Sequence, residues 1–203
     1  MTVGFSLAPP DSTRPDFVTS YHGVSTKNLE NVIMRIWDLA KEFDVGAMVK
    51  ETAGRYKKLL GEKGIQLSIH SPTTDIRLVG DPAKVGRVFQ NLLHNAVKFT
   101  LRGEIAVKVH RSVNRGVIDL EITDTGIGIP RDQIEGMFQP FQQMNGSFRR
   151  EFSGMGLGLT VARRLTDFLG GSLEIRSQPD IGTHVLLSIP YRAATQKNGT
   201  SDH

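Results

Sequence analysis

The stretch Val117–Pro130 constrains this chain more than any other. Val117–Thr123 reads as an apolar strand, and Asp124-Thr-Gly-Ile-Gly-Ile-Pro130 follows it at once as a turn with glycine at alternate positions. Gly126 and Gly128 let the backbone turn sharply and let a ligand come close to it. Asp124, at the end of the strand, can accept a hydrogen bond from an exocyclic amine. A glycine turn with one aspartate is also a common way to reverse a chain, so the segment alone leaves both readings open.

The surrounding pattern supplies a frame. Residues 1–24, with Pro9, Pro10 and Pro15 among Asp, Ser and Thr, read as a flexible leader. Over residues 25–42, Leu29, Val32, Ile33, Ile36, Trp37 and Ala40 form one apolar stripe of a helix. A second helix is expected from Val45 to about Leu60 after Asp44 as N-cap, with Gly61 and Gly64 breaking the chain. Ile65–His70 and Ile76–Val79 read as strands, and Asp81-Pro82 opens a helix that runs to Phe99. Glu104–Arg111 pairs with Val117–Thr123 across the Asn114-Arg-Gly116 turn. A short helical piece falls near Gln133–Met137, and a helix from Leu157 to Leu169 stops at Gly170-Gly171. Ser172–Ser177 and Thr183–Ile189 close the domain, and a polar tail is expected over residues 192–203. Helices mixed with strands paired in sequence suggest a two-layer α/β sandwich of the α+β class, a mixed sheet with helices on one face.

Two further segments carry candidate chemistry. On the Pro82–Phe99 helix, Asn91 and Asn95 are one turn apart and Lys98 follows three residues later, so the three share a face. Amide oxygens suit Mg²⁺ and an ammonium suits phosphate oxygens, though a solvated helix face would look the same. Gly154-Met-Gly-Leu-Gly-Leu159 opens a helix, where free N–H groups and the helix dipole favour a phosphate. It is neither a Walker A loop nor a dinucleotide fingerprint, and a packing role for these glycines stays open.

Taken in order, Asn91/Asn95/Lys98, Asp124/Gly126/Gly128, Phe138/Phe141 and Gly154/Gly156/Gly158 resemble the N, G1, F and G2 boxes of the ATP-binding catalytic domain of sensor histidine kinases. That domain shares a superfamily with DNA gyrase, the ninety-kilodalton heat-shock chaperone and MutL. The text Asn91-Leu-Leu-His-Asn-Ala-Val-Lys-Phe-Thr100 and Phe138-Gln-Pro-Phe-Gln-Gln143 is close to the kinase branch. Gly182-Thr183 resembles the last glycine box, and the resemblance covers residues 43–191, within a Bergerat-type ATP-binding fold.

The resemblance implies ATP and Mg²⁺ as ligands. By it, Asp124 receives the adenine amino group, with Gly126, Gly128 and Ile129 shaping the wall beside the base and Thr183 adjoining it. Asn95 coordinates the metal, Asn91 supports metal or phosphates, and Lys98 neutralises phosphate charge; these three are the catalytic set. Residues from about Arg131 to Ser153 form an ATP lid with Phe138 and Phe141 at its base. Gly154, Met155, Gly156, Leu157 and Gly158 bring backbone donors to the phosphates, and Arg149 or Arg150 reaches the γ-phosphate. Met155 and Ser153 depart from the threonine and glycine common there.

Hydrolysing branches of the superfamily carry a glutamate at position 91 as general base. Asn91 cannot abstract a proton, which fits transfer to an imidazole. The receiving histidine belongs to a helical dimerisation domain, and His22, followed by Gly23-Val24, lacks the acidic neighbour of that motif. The expected partners are therefore a histidine-bearing dimerisation domain, downstream a response regulator, and a second copy in a full-length homodimer. The alternative is a degenerate kinase-like module that binds nucleotide for regulation or assembly.

Composition excludes other classes. The 203 residues include no cysteine, which removes disulfides, thiolate metal sites and cysteine nucleophiles. No apolar run approaches the roughly 20 residues that span a bilayer, so an anchor of a membrane-bound parent protein is expected elsewhere, and the expected location is the cytoplasm, whose reducing conditions the lack of cysteine fits. The net charge of +4 is spread over scattered Lys and Arg without interleaved aromatics, which argues against nucleic acid as a partner.

Overall fold

The computed structural model describes residues 40–72, 76–139 and 157–191. The chain divides into units 1–40 and 41–203, and all elements below belong to the second. The leader, the tail and the 25–42 helix as far as residue 39 lie outside the described residues.

Lys41–Asp44 is not the last turn of a helix but a strand, β1, paired antiparallel with β3 (Arg77–Gly80). Its partner lies more than thirty residues away in sequence, so no local pattern announces it. The extended backbone at Asp44 leaves its carboxylate to accept from Gly46 N at 2.7 Å and Ala47 N at 3.2 Å, capping α1 (Val45–Gly54). The single helix expected to Leu60 is two helices. Arg55 N and Tyr56 N turn back tightly onto the carbonyls of Thr52 and Ala53, and α2 (Lys57–Lys63) starts afresh. Gly64, at φ 65°, ends α2 in the left-handed region and admits β2 (Ile65–His70).

The helix α3 spans Pro82–Phe99, the bounds the sequence suggests. Asp81 accepts from Ala83 N at 2.9 Å and Lys84 N at 3.1 Å, and Pro82 occupies the first turn, where its missing N–H costs nothing. Val85, Val88, Phe89, Leu92, Leu93, Ala96 and Val97 form its buried stripe. Next come β4 (Gly103–Ser112), a 3₁₀ turn closed by Gly116 at φ 64°, and β5 (Val117–Asp124). The short α4 (Arg131–Ile134) and a 3₁₀ turn at Gly136–Phe138 precede α5 (Gly158–Phe168), β6 (Ser172–Gln178) and β7 (Gly182–Pro190).

The larger sheet has the order β2-β4-β5-β7-β6, with β2 and β4 parallel and the remaining pairs antiparallel. It is the expected mixed sheet with helices on one face. Alternation along the strands sends Ile105, Val107, Val109, Ile118, Leu120, Ile122, Val185, Leu187 and Ile189 into the helix-covered core. The opposite face is polar: fully buried Asp119 accepts from Ser188 Oγ at 2.5 Å, pairs with Arg115, and lies 3.2 Å from His110.

Candidate functional site

Between α3 and the far end of the sheet lies a largely apolar cleft. Its floor is apolar because two periodicities converge there. Leu92, Ala96 and Phe99 recur at helical spacing on α3, and Ile122, Val185 and Ile175 sit opposite one another on β5, β7 and β6. Leu159 at the start of α5 and Met137 add to the wall.

One register step beyond that floor, the same three strands carry Asp124, Thr183 and Ser177 in a row. Alternation puts this polar row on the cleft side, at the rim of the apolar floor. Ser177 Oγ lies 2.9 Å from Thr183 Oγ1, donates to Gly182 O at 2.8 Å and accepts from Ile129 N at 2.8 Å. Asp124 is buried, and its Oδ1 accepts from Gly126 N at 2.9 Å. Burial holds its carboxyl above the usual carboxylate range, against the pull of the Gly126 and Thr183 N–H groups. A buried acceptor beside an apolar floor is suited to a flat ring that carries an amine.

The glycines here answer to close approach. A Cβ on Gly126 would stand 2.6 Å from Phe99 O, and one on Gly128, at φ 67°, 2.0 Å from Gln178 O. Gly182, at φ 135°, would bring a Cβ 1.9 Å from Asp124 O. The turn after β5 is thus wedged between the end of α3 and the β6–β7 hairpin, which fixes the direction of Asp124.

Asn95 lines the cleft from α3, and Asn91 lies one turn earlier, its buried Nδ2 without a hydrogen-bond partner among the described residues. Lys98 is half-buried with its Nζ 5.0 Å from the Phe99 ring, and burial lowers its pKa. The orphaned Asn91 N–H and the Lys98 ammonium are donors that phosphate oxygens would satisfy, and the Asn95 side-chain oxygen is a ligand that suits a hard cation.

The structure therefore brings Asn95, Asp124, Gly128, Ile129 and Thr183 into one cleft, with Asn91, Lys98 and Gly126 adjoining it. Phe138 does not line it; the neighbouring Met137 does, while the Phe138 ring stacks under Arg163 at 5.1 Å. Leu157 stands at the N-cap and Gly158 begins α5, whose first N–H groups have no side-chain cap among the described residues. Phe141, Arg149, Arg150, Gly154, Met155 and Gly156 lie outside the described residues. Sequence reasoning missed Ser177, although its pairing opposite Thr183 follows once the β6–β7 register is known. It also missed Met137. Among the described residues no cluster of three His or acidic side chains could hold a metal, and no helix is long and apolar enough to cross a membrane.

Comparison with known proteins gives the family and the fold. Residues 80–193 match the family described as histidine kinase-, DNA gyrase B- and HSP90-like ATPase. The chain is 35% identical over 144 residues to the autoinducer 2 sensor kinase/phosphatase LuxQ of Vibrio parahaemolyticus, covering 68% of this chain and 17% of that protein. It is 31% identical over 162 residues to the sensor histidine kinase RcsC of Escherichia coli K12, covering 78% of this chain and again 17% of that protein. The chain thus spans less than a fifth of the length of these relatives. Among solved structures, the mycobacterial sensor histidine kinase MprB superposes with a TM-score of 0.64 at 25% identity, covering 75% of this chain and 98% of that one. The catalytic domain of the histidine kinase ThkA shares the fold with a TM-score of 0.65 at 22% identity, covering 75% and 97%.

Proposed function

Because the chain belongs to the histidine kinase-, DNA gyrase B- and HSP90-like ATPase family, as the ATP-binding catalytic domain of a sensor histidine kinase, we propose that it binds Mg·ATP in the described cleft and transfers the γ-phosphoryl group to a histidine on a dimerisation domain or another chain. The observation that carries this reading is that Asp124 and Thr183, paired across β5 and β7, line one apolar cleft together with Asn95. The floor takes the faces of the adenine ring, and Asp124 accepts from its exocyclic amine.

The phosphates then run toward Asn91, Asn95 and Lys98, where the orphaned Asn91 amide and the Lys98 ammonium supply donors. Asn95, supported by Asn91, would hold Mg²⁺, which supplies charge neutralisation along the phosphates. The start of α5, without a side-chain cap among the described residues, offers further N–H donors beside Leu159. With asparagine at position 91 there is no carboxylate base on this helix face, so the domain's contribution is positioning and charge stabilisation, and the accepting imidazole is its own nucleophile. A response regulator is the downstream partner this reading implies.

The test is incubation of the chain with γ-labelled ATP and Mg²⁺, alone and with a histidine-bearing helical dimerisation domain. Acid-labile label on the added domain is the expected result. Tight ATP binding with no transfer to any such domain contradicts the kinase reading and leaves a nucleotide-binding module.

A further inference from the structure

The C-terminal end of α3 is held by a cation from another helix. The last carbonyls of any helix lack intrahelical partners, and here each one's partner can be named. Ala96 O accepts from Thr100 N at 3.0 Å, and Phe99 O accepts from Ile127 N at 3.2 Å. The others are taken by one group: Lys63 Nζ donates to Val97 O at 2.6 Å, to Thr100 O at 3.3 Å and to Lys98 O at 3.5 Å. An ammonium has three donors and no acceptor, so three converging carbonyls match it, and its charge meets the negative end of the helix dipole.

Lys63 can do this because of where α2 stops. It is the last residue of that helix, and Gly64 at φ 65° turns the chain away into β2. The neighbouring β2 residue Ile65 pairs with Gly103, just past the end of α3, so strand pairing keeps Lys63 beside its acceptors. Thr100, one of those acceptors, is fully buried, so water does not stand in for the lysine as its donor.

We infer that Lys63 is a positioning residue for the nucleotide cleft, rigidly holding the helix end whose Lys98 faces the phosphates and whose Phe99 carbonyl braces the glycine turn behind Asp124. This rests on the reading of the cleft as an ATP site. The turn is sensitive to that end of α3 at two points: Ile127 N bonds Phe99 O, and Gly126 has no side chain because Phe99 O lies 2.6 Å from where its Cβ would be. Release of the Val97–Thr100 carbonyls would let Phe99 move, and Ile127 and Asp124 with it.

The experiment compares wild type, Lys63→Met and Lys63→Arg. Met keeps much of the apolar stem and removes the donors; Arg can still donate to terminal carbonyls. Two readouts are taken on each protein: Mg·ATP affinity by calorimetry, and hydrogen exchange at the Ile127, Leu120 and Leu187 amides without nucleotide. In Lys63→Met, ATP affinity is expected to fall by about five- to tenfold, and Ile127 protection by a similar factor. Leu120 and Leu187, in the central strands, should change by less than about twofold, and Lys63→Arg should recover most of both losses. Unchanged affinity and unchanged Ile127 exchange in Lys63→Met would overturn the inference, as would a uniform loss of protection at all three amides with no loss of ATP affinity. A wild-type protein that binds no ATP refutes the functional reading itself, and the Ile127 exchange then still decides whether Lys63 holds the turn.

Discussion

Replacing Asp124 with asparagine separates what this residue does for the cleft from what it does for the fold. The side chain is 8% exposed, and its Oδ1 accepts from Gly126 N at 2.9 Å. Asparagine has the same shape and keeps an oxygen for that bond. It presents an NH₂ where the carboxylate would accept the adenine amine, so donor faces donor. Loss of a hydrogen bond to a charged group costs about 1.5–3 kcal/mol, which is a weakening of ATP binding by about ten- to 150-fold. The effect on folding is small. Burial raises the folded-state pKa of Asp124 above its unfolded value. Its contribution to stability is thus fully present below the unfolded pKa and is lost as pH rises through the folded one. Near neutrality the buried carboxylate therefore costs stability, a cost that asparagine removes and the lost second acceptor toward the Thr183 N–H partly offsets, so Asp124→Asn should unfold within a few degrees of wild type when nucleotide is absent. Calorimetric titration with Mg·ATP and thermal unfolding of both proteins provide the comparison. ATP affinity within about threefold of wild type refutes the argument, as does a melting temperature several degrees lower.

Other consequences follow from the same geometry. ATP affinity should fall on acidification through a range above ordinary carboxylates, as Asp124 protonates, and Asp124→Asn should flatten that part of the profile. Gly182→Ala forces a Cβ to 1.9 Å from Asp124 O at φ 135° and should destabilise the domain by at least about 2 kcal/mol in denaturant unfolding. A change under about 0.5 kcal/mol would show that the hairpin is free to move. Asn95→Ala should remove the dependence of ATP affinity on Mg²⁺, so that titrations with Mg²⁺ and with chelator coincide; a retained Mg²⁺ effect would place the metal on other residues.

Much of this was readable in the sequence because the signals were local. Asp81-Pro82 marks the start of α3 by capping chemistry, and its apolar stripe fixes which face it buries. The β4–β5 pair follows from alternation and the Asn114-Arg-Gly116 turn, with each strand one residue longer than expected at one or both ends. Asp124 and Thr183 were legible from glycine context, but that they stand opposite each other is a property of the β5–β7 register. Ser177 and Lys63 carried no signal at all. A serine in a strand and a lysine at a helix end are ordinary until pairing places one beside Thr183 and the other beside the carbonyls of α3. Strand β1 was missed because four residues, Lys-Glu-Phe-Asp, show no alternation, and its partner is distant.

The base itself offers the most direct measurement on the cleft. Adenine carries an amine where guanine carries a carbonyl oxygen, and Asp124 in its ionised form can only accept. Titration of the wild-type chain with Mg·ATP and Mg·GTP under one set of conditions should give one ATP bound per chain and GTP weaker by at least about tenfold. Equal affinity for the two nucleotides, or no binding of either, would contradict the account.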